Sequence, residues 1–450
     1  MRVCVIDMPG LSEDLLKKIP PETALGKWLS GKKAAALVPS FPAVTCSMQA
    51  TLTTGQTPEK HGIIANGLPT FRFPQDQALI DASSFAAYRK QISFWEQSNQ
   101  LVEWPRFWQD AQGKSRWKTA LLFLQNSMPG FAGKPKPAAD IVVTPKPEHG
   151  PDGKITSLCW SNPSDLVPQL FHQLGPFPLM NYWGPMAGIA SSKWIATASA
   201  IVWRDHAPQL QWTYIPHLDY DLQRFGPNSP QATQAVADAA AAIEPLMNAV
   251  QSDGGKIVLL SEYAMTEVRS HVQPNRLLAE AGLLKLRETP DGMLIDYTQS
   301  PALAMVDHQI AHVYAKDVNA IKRAQEVLTV SGIAAISPPP DGLRHRRAGD
   351  LILQADPDAW FDYRWWPEPN AAPAFAGLVD IHRKPGYDPL ELFWDPANKS
   401  IIQDATKIKG SHGLPDSSNA IYVSEEAPQA PTIRATSVAT MLTKLLETPG

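Results

Sequence analysis

The stretch Val3-Cys4-Val5-Ile6 runs straight into Asp7 and then into Met8-Pro9-Gly10. This feature constrains the fold more than any other in the chain. A short, unbroken apolar run is the pattern of a strand buried on both faces of a parallel sheet. An acidic residue at its end sits on the carboxyl edge, where open α/β sheets bind ligands. The pattern recurs at Lys256–Leu260, followed by Ser261-Glu262, and again where Trp-Thr-Tyr-Ile-Pro-His-Leu leads into Asp219. Ala34–Val38 and Ala120–Leu124 are further strand candidates. Thr45–Thr54 reads as a helix stopped by Gly55-Gln56-Thr57-Pro58, and the Ala-rich stretch Ser229–Asn248 as a long helix. Alternating strands and helices predict an α/β fold with a mainly parallel central sheet flanked by helices.

Residues 266–340 break that rhythm. Two short helical patterns (275–286 and 317–333) flank a strand at Ala302–Val313, which predicts an inserted cap between core segments 1–265 and 341–450. Leu351–Leu353 returns to strand character. The Pro-, Trp- and Asp-rich stretch 363–408 reads as a long ordered loop over the site. A length of 450 residues suits one large α/β domain with such insertions.

Composition narrows the function classes. Lys and Arg number 40 against 44 Asp and Glu, so there is no positive excess to bind a nucleic-acid polymer. No run of 18 apolar residues predicts a membrane span. The N-terminal apolar stretch is too short for a signal peptide and reads as a mature strand, so a cytoplasmic location is expected. Cys4, Cys46 and Cys159 lack zinc-site spacing and read as free thiols.

Three carboxylates converging on one sheet edge repel one another unless a cation joins them. That points to a metal centre; the alternative is that each caps a neighbouring helix N-terminus. Thr45, at a helix start, is either a nucleophile whose oxyanion is steadied by metal and helix dipole or an ordinary N-cap.

Four stretches, in order and spacing, resemble the alkaline phosphatase superfamily in its nucleotide pyrophosphatase/phosphodiesterase and phosphonoacetate hydrolase branch. They are Val5-Ile6-Asp7; Thr45 through Gly55, Pro58-Glu59, His61-Gly62-Ile63 and Asn66; Tyr214 through Asp219, Gln223, Gly226-Pro227 and Ser229; and Gly410-Ser411-His412-Gly413 before a strand-like Ala420–Val423. Arg347 to Asp356 is a weaker match. The resemblance implies hydrolysis of a phosphate ester, phosphodiester or phosphonate through a covalent phospho-threonine on Thr45, aided by divalent metals about 4 Å apart. It puts Asp7, Thr45 and Glu262 on the nucleophile-side metal and Asp219 and His412 on the other. Asn66 is placed on a non-bridging phosphoryl oxygen, and His61 is left as a structural turn residue.

The sequence also departs from that pattern. Glu262-Tyr263 stands where the family has Asp-His, and Gln223 stands where it has a histidine. Losing imidazoles leaves an oxygen-rich set, which shifts preference from Zn²⁺ toward Mn²⁺ or Mg²⁺. One or two metals per chain are expected, in unequal sites. His217, His308, His312 and the segment Asp380-Ile381-His382-Arg383-Lys384 to Asp388 are candidates to replace lost ligands, with Arg383 and Lys384 as anion contacts. The expected partner is a small phosphorylated or phosphonate substrate. A non-catalytic binding protein on a degenerated phosphatase fold is the alternative.

Overall fold

The computed structural model describes residues 1–69, 91–110, 112–130, 136–149, 155–156, 159–290, 292–382, 384–415, 420–428 and 430–448. Among them a nine-stranded sheet runs in the order Thr432–Arg434, Ala35–Val38, Ile421–Ser424, Lys256–Leu260, Val3–Asp7, Leu210–Tyr214, Thr119–Leu122, Ile141–Pro145, Cys159–Asn162. The five strands from Lys256–Leu260 to Ile141–Pro145 are mutually parallel. Ile421–Ser424 runs antiparallel to both of its neighbours.

Val3–Asp7 lies at the centre of the parallel block, with all five residues buried. This is why it carries no alternation: both faces are covered and every side chain needs an apolar neighbour. The helices Ala24–Leu29, Ile189–His206, Pro230–Ala242 and Glu244–Ser252 pack together as one group, and Thr45–Thr54 packs with Val438–Glu447. The expected helix Ser229–Asn248 is thus two helices. Ser229 caps the first, its hydroxyl accepting from the Ala232 amide at 3.1 Å. Pro245 starts the second, because proline supplies no amide to continue the first.

A second sheet, antiparallel throughout, has the order Ala302–Asp307, Ile310–Ala315, Leu351–Ala355, Ile333–Ser337. Three of its strands come from residues 266–340 and the fourth from beyond them. The single strand expected at Ala302–Val313 is a hairpin. His308 adopts a left-handed backbone (φ 59°) and turns the chain between the two strands. Among the described residues no helix is long and apolar enough to cross a membrane.

The helix Thr45–Thr54 is the seam between two hydrophobic cores. Met48 and Leu52, four apart, pack into the core around the large sheet; Cys46 and Ala50 pack into the core around the second sheet. All ten residues are buried, so the helix shows no apolar stripe. Two of its buried hydroxyls donate to backbone carbonyls: Thr54 Oγ1 to that of Ala50 at 2.7 Å, and Ser47 Oγ to that of Ile63 at 2.5 Å. Gly55 ends it with φ 70°, and a Cβ there would lie 3.1 Å from Ala439 Cβ.

Candidate active site

The carboxyl edge of the large sheet, the start of the seam helix and the hairpin turn of the second sheet meet at one buried cluster. Asp7 closes the central strand. Its Oδ2 accepts from Trp212 Nε1 at 3.0 Å, and its Oδ1 is buried with no hydrogen-bond partner. Glu262 follows the neighbouring strand. Its Oε1 accepts from Gln49 Nε2 at 2.7 Å, and its Oε2 is likewise buried and unpartnered. Gln49 is itself held by the Gln125 amide at 2.7 Å. Burial pushes the Asp7 carboxyl up to about 7. It raises Glu262 well above the usual carboxylate range, and the Asp7 charge beside it adds to that rise.

Thr45 is the first residue of its helix, not its cap: Val44 holds the cap position and its apolar side chain makes no cap hydrogen bond. The Thr45 hydroxyl instead lies 3.0 Å from the Tyr263 hydroxyl. The phenol donates to Asp219 Oδ1 at 3.1 Å, so its one proton is spent and its oxygen can only accept from Thr45, whose hydroxyl also lies against the Glu262 carboxylate. Asp219 Oδ2 accepts from Gln223 Nε2 at 2.6 Å, and Gln223 Oε1 accepts from the Tyr387 hydroxyl at 2.8 Å. Burial raises Asp219 to about 6, against the lowering effect of its two donors.

Asn66 faces the helix start. Its Oδ1 accepts from the Cys46 amide at 2.8 Å, while its own amide and Nδ2 donate to the two oxygens of Asp307 at 2.7 and 3.1 Å. Asp307 Oδ1 also pairs with His308 Nδ1 at 2.7 Å. His412 stacks on Tyr263, with centroids 3.6 Å apart and planes 5° apart, and lies 3.9 Å from the His308 ring. Its Nδ1 is 2.7 Å from the Ala43 carbonyl, which only accepts, so Nδ1 carries the proton. Burial holds both histidines well below the usual imidazole range, hence neutral.

The structure therefore brings together Asp7, Thr45, Asn66, Asp219, Gln223, Glu262, Tyr263, His308 and His412. Other candidates lie elsewhere. His217 is buried with neither ring nitrogen partnered, among the charges of Asp221, Asp238, Arg224 and Lys193. His312 bridges the Ile64 carbonyl and the Gly349 amide. His61 is fixed in its turn by Thr51 and the Ile63 amide. His382 is exposed, with Nδ1 3.1 Å from the Phe94 carbonyl. Lys384 is fully buried between Asp388 (2.6 Å) and Glu391 (2.8 Å), and Arg383 lies outside the described residues. The three cysteines are free.

Sequence reasoning missed three residues. Asp307 had a signal, a polar Asp-His-Gln break inside an apolar run. Gln49 lies one turn beyond Thr45 on the same helix face. Tyr387 stacks 3.7 Å over His308; the polar density of the Asp380–Asp388 segment marks that stretch as reaching the site, but not the tyrosine itself.

The two halves of the cluster differ in their fitness for a metal. Asp7, Glu262 and Thr45 offer hard oxygens, and the two orphaned buried carboxylate oxygens lack the positive partner that burial demands. This half fits a divalent cation that prefers oxygen. Around Asp219 each carboxylate oxygen accepts from a neutral donor, the Tyr263 hydroxyl fills the space between Asp219 and Thr45, and His412 Nε2 lies 3.8 Å from Asp219 Oδ1. That half does not fit one. Among the described residues no group of three or more His, Cys, Asp or Glu side chains is arranged to hold a metal.

Comparison with known proteins agrees with this layout. The chain superposes on phosphonoacetate hydrolase from Sinorhizobium meliloti 1021 bound to phosphonoacetate with a TM-score of 0.62 and 12% identity, covering 99% of this chain and 96% of that one. Murine ectonucleotide pyrophosphatase/phosphodiesterase 5 gives 0.58 and 13% identity over 100% and 96%. The human counterpart gives 0.57 and 13% over the same shares. These likenesses show the alkaline-phosphatase-like fold. No curated protein matches the chain in sequence. The type I phosphodiesterase / nucleotide pyrophosphatase model matches residues 3–388, and on that match the chain belongs to this family of hydrolytic enzymes.

Proposed function

We propose that the chain hydrolyses phosphodiester bonds by attack of Thr45, through a phospho-threonine that water then resolves. The observation that carries this reading is the Thr45 hydroxyl. It stands at a helix N-terminus, has no capping duty, and is hydrogen-bonded toward an acceptor chain. A Mn²⁺ or Mg²⁺ ion held by Asp7, Thr45 and Glu262 would supply positive charge beside the nucleophile's oxygen. The protein's own groups do the rest. The Thr45 proton passes to the Tyr263 oxygen as the phenol proton passes to Asp219 Oδ1. The Asn66 Nδ2 proton not spent on Asp307 donates to a non-bridging oxygen, and the partial positive charge of the helix start stabilises the developing anion.

Charge favours the diester. Asp7, Glu262, Asp219 and Asp307 together carry −4 when ionised, and His308 and His412 are neutral. One dication leaves −2, which disfavours a dianionic monoester more than a monoanionic diester. The murine relative has been solved in complex with AMP and the bacterial hydrolase with phosphonoacetate, which supports a small phosphorus-bearing anion as substrate. The test is turnover of bis-p-nitrophenyl phosphate with added Mn²⁺. Mass spectrometry of acid-quenched protein should find the phosphoryl group on Thr45. Absence of turnover with Mn²⁺, Mg²⁺ and Zn²⁺ alike would overturn the proposal.

A further inference from the structure

We infer that this chain holds one cation where its fold relatives would lead one to expect two, and that the phenol of Tyr263 stands in for the second. The inference rests on the proposed reading of Asp7, Thr45 and Glu262 as a cation site. A second ion would have to lie beside Asp219 and His412 and reach toward the nucleophile. The Tyr263 hydroxyl lies there instead, 3.0 Å from Thr45 Oγ1 and 3.1 Å from Asp219 Oδ1. It is rigidly held, because its ring is fully buried and stacked in parallel on His412. The other Asp219 oxygen is filled by Gln223 Nε2 at 2.6 Å. Gln223 is itself oriented by the Tyr387 hydroxyl, and Tyr387 by its stack on His308.

Each oxygen of Asp219 therefore meets the positive end of a neutral dipole where an ion would place a full charge. Buried carboxylates need such partners, and two good donors meet that need without a metal. The network is complete along its length: every polar atom from Tyr387 through Gln223 and Asp219 to Tyr263 and Thr45 is accounted for. The other half is not, since Asp7 Oδ1 and Glu262 Oε2 have no dedicated donor and the two adjacent carboxyls are left to share a proton. A cation bridging Asp219 toward Thr45 would have to evict the Tyr263 hydroxyl, which fills that space and is locked there by its buried, stacked ring. A cation entering between Asp7 and Glu262 displaces only the proton that the two buried carboxyls share.

Metal content and spin state test this directly. The full chain is loaded with MnCl₂, dialysed and analysed for manganese, and its electron paramagnetic resonance spectrum is recorded. The expected result is one ion per chain with the six-line pattern of an isolated Mn²⁺. The double variant Tyr263→His with Gln223→His replaces both donors by imidazoles, and should bind two ions and show a spin-coupled spectrum. Two ions or a coupled spectrum in the unaltered protein would overturn the inference, as would none. The unaltered protein decides the matter even where the double variant does not fold. The result separates from the fate of the proposed function. Two ions with Thr45-dependent turnover would sink the one-cation inference alone. One ion with no turnover would sink the hydrolase reading and leave the ion count standing.

Discussion

Removing the carboxylate of Asp307 should cost both stability and rate. Three donors converge on it: the Asn66 amide at 2.7 Å, Asn66 Nδ2 at 3.1 Å and His308 Nδ1 at 2.7 Å, and all three residues are buried. A buried donor left unpaired costs about 1–3 kcal/mol. Water entering the space vacated by the carboxylate would recover part of this. Asp307→Ala should therefore destabilise the fold by about 3–5 kcal/mol, a large share of the roughly 5–15 kcal/mol typical of a native protein. Asp307→Asn keeps the shape and one acceptor oxygen, and should cost about half as much. Because Asp307 holds Asn66 in place and Asn66 is proposed to face the phosphoryl oxygen, kcat should fall by about 10²-fold or more in the alanine variant. Urea unfolding followed by tryptophan fluorescence reads the first effect and steady-state kinetics the second. A shift below about 1 kcal/mol with unchanged kcat would show that Asn66 is positioned without this carboxylate, and the account of the helix start would fail.

Thr45→Ala should fold normally and lose about 10³-fold or more in kcat/KM with Mn²⁺ present; native turnover in that variant rules out covalent catalysis by Thr45. The charge balance predicts a higher kcat/KM for bis-p-nitrophenyl phosphate than for p-nitrophenyl phosphate, and a reversed ratio contradicts it. Without a cation, stability should fall as pH rises. Asp7 and Asp219 sit at about 7 and about 6 in the folded protein, above the ordinary 3.8. The folded state therefore binds protons more tightly than the unfolded one between about pH 4 and 7, and stability is lost across that window at roughly 1.4 kcal/mol per pH unit for each group. Thermal melts of chelated protein should be lower at pH 8 than at pH 5, with Mn²⁺ raising the pH 8 value most. Equal melts with no response to Mn²⁺ would contradict the buried carboxylate pair.

The parts of this molecule that sequence reveals are those where one local pattern has one physical cause. Val3–Asp7 could be read because burial on both faces leaves an unbroken apolar run. Thr45, Asn66, Asp219 and His412 could be placed because their spacing within short motifs survives. The hairpin at His308 looks like a single strand in sequence, since the apolar residues on either side match and only a left-handed turn separates them. The seam helix has no apolar face to announce its two cores. Gln223 and Tyr263 could be recognised as departures from a ligand pattern. That they act together as donors to one carboxylate depends on Tyr387, far along the chain, and no local spacing encodes that meeting. Lys384 looked like an anion contact because lysine is usually exposed; here Asp388 and Glu391 enclose it.

The place of Ile421–Ser424 in the large sheet sets an order on folding. Ala35–Val38 joins that sheet only through this strand and Thr432–Arg434. The chain grows from its N-terminus, so Ala35–Val38 and the seam helix just after it are made early and must wait for Ile421–Ser424 and Thr432–Arg434, far along the chain. Until then Lys256–Leu260 presents an unpaired edge, the kind that invites pairing with other chains. Closing so long a loop is entropically slow, and contacts this distant in sequence slow folding further. Thr45 is thus among the first site residues synthesised and among the last to be locked in place. A chain shortened by its final thirty residues should accumulate as aggregate, not as a weakened enzyme.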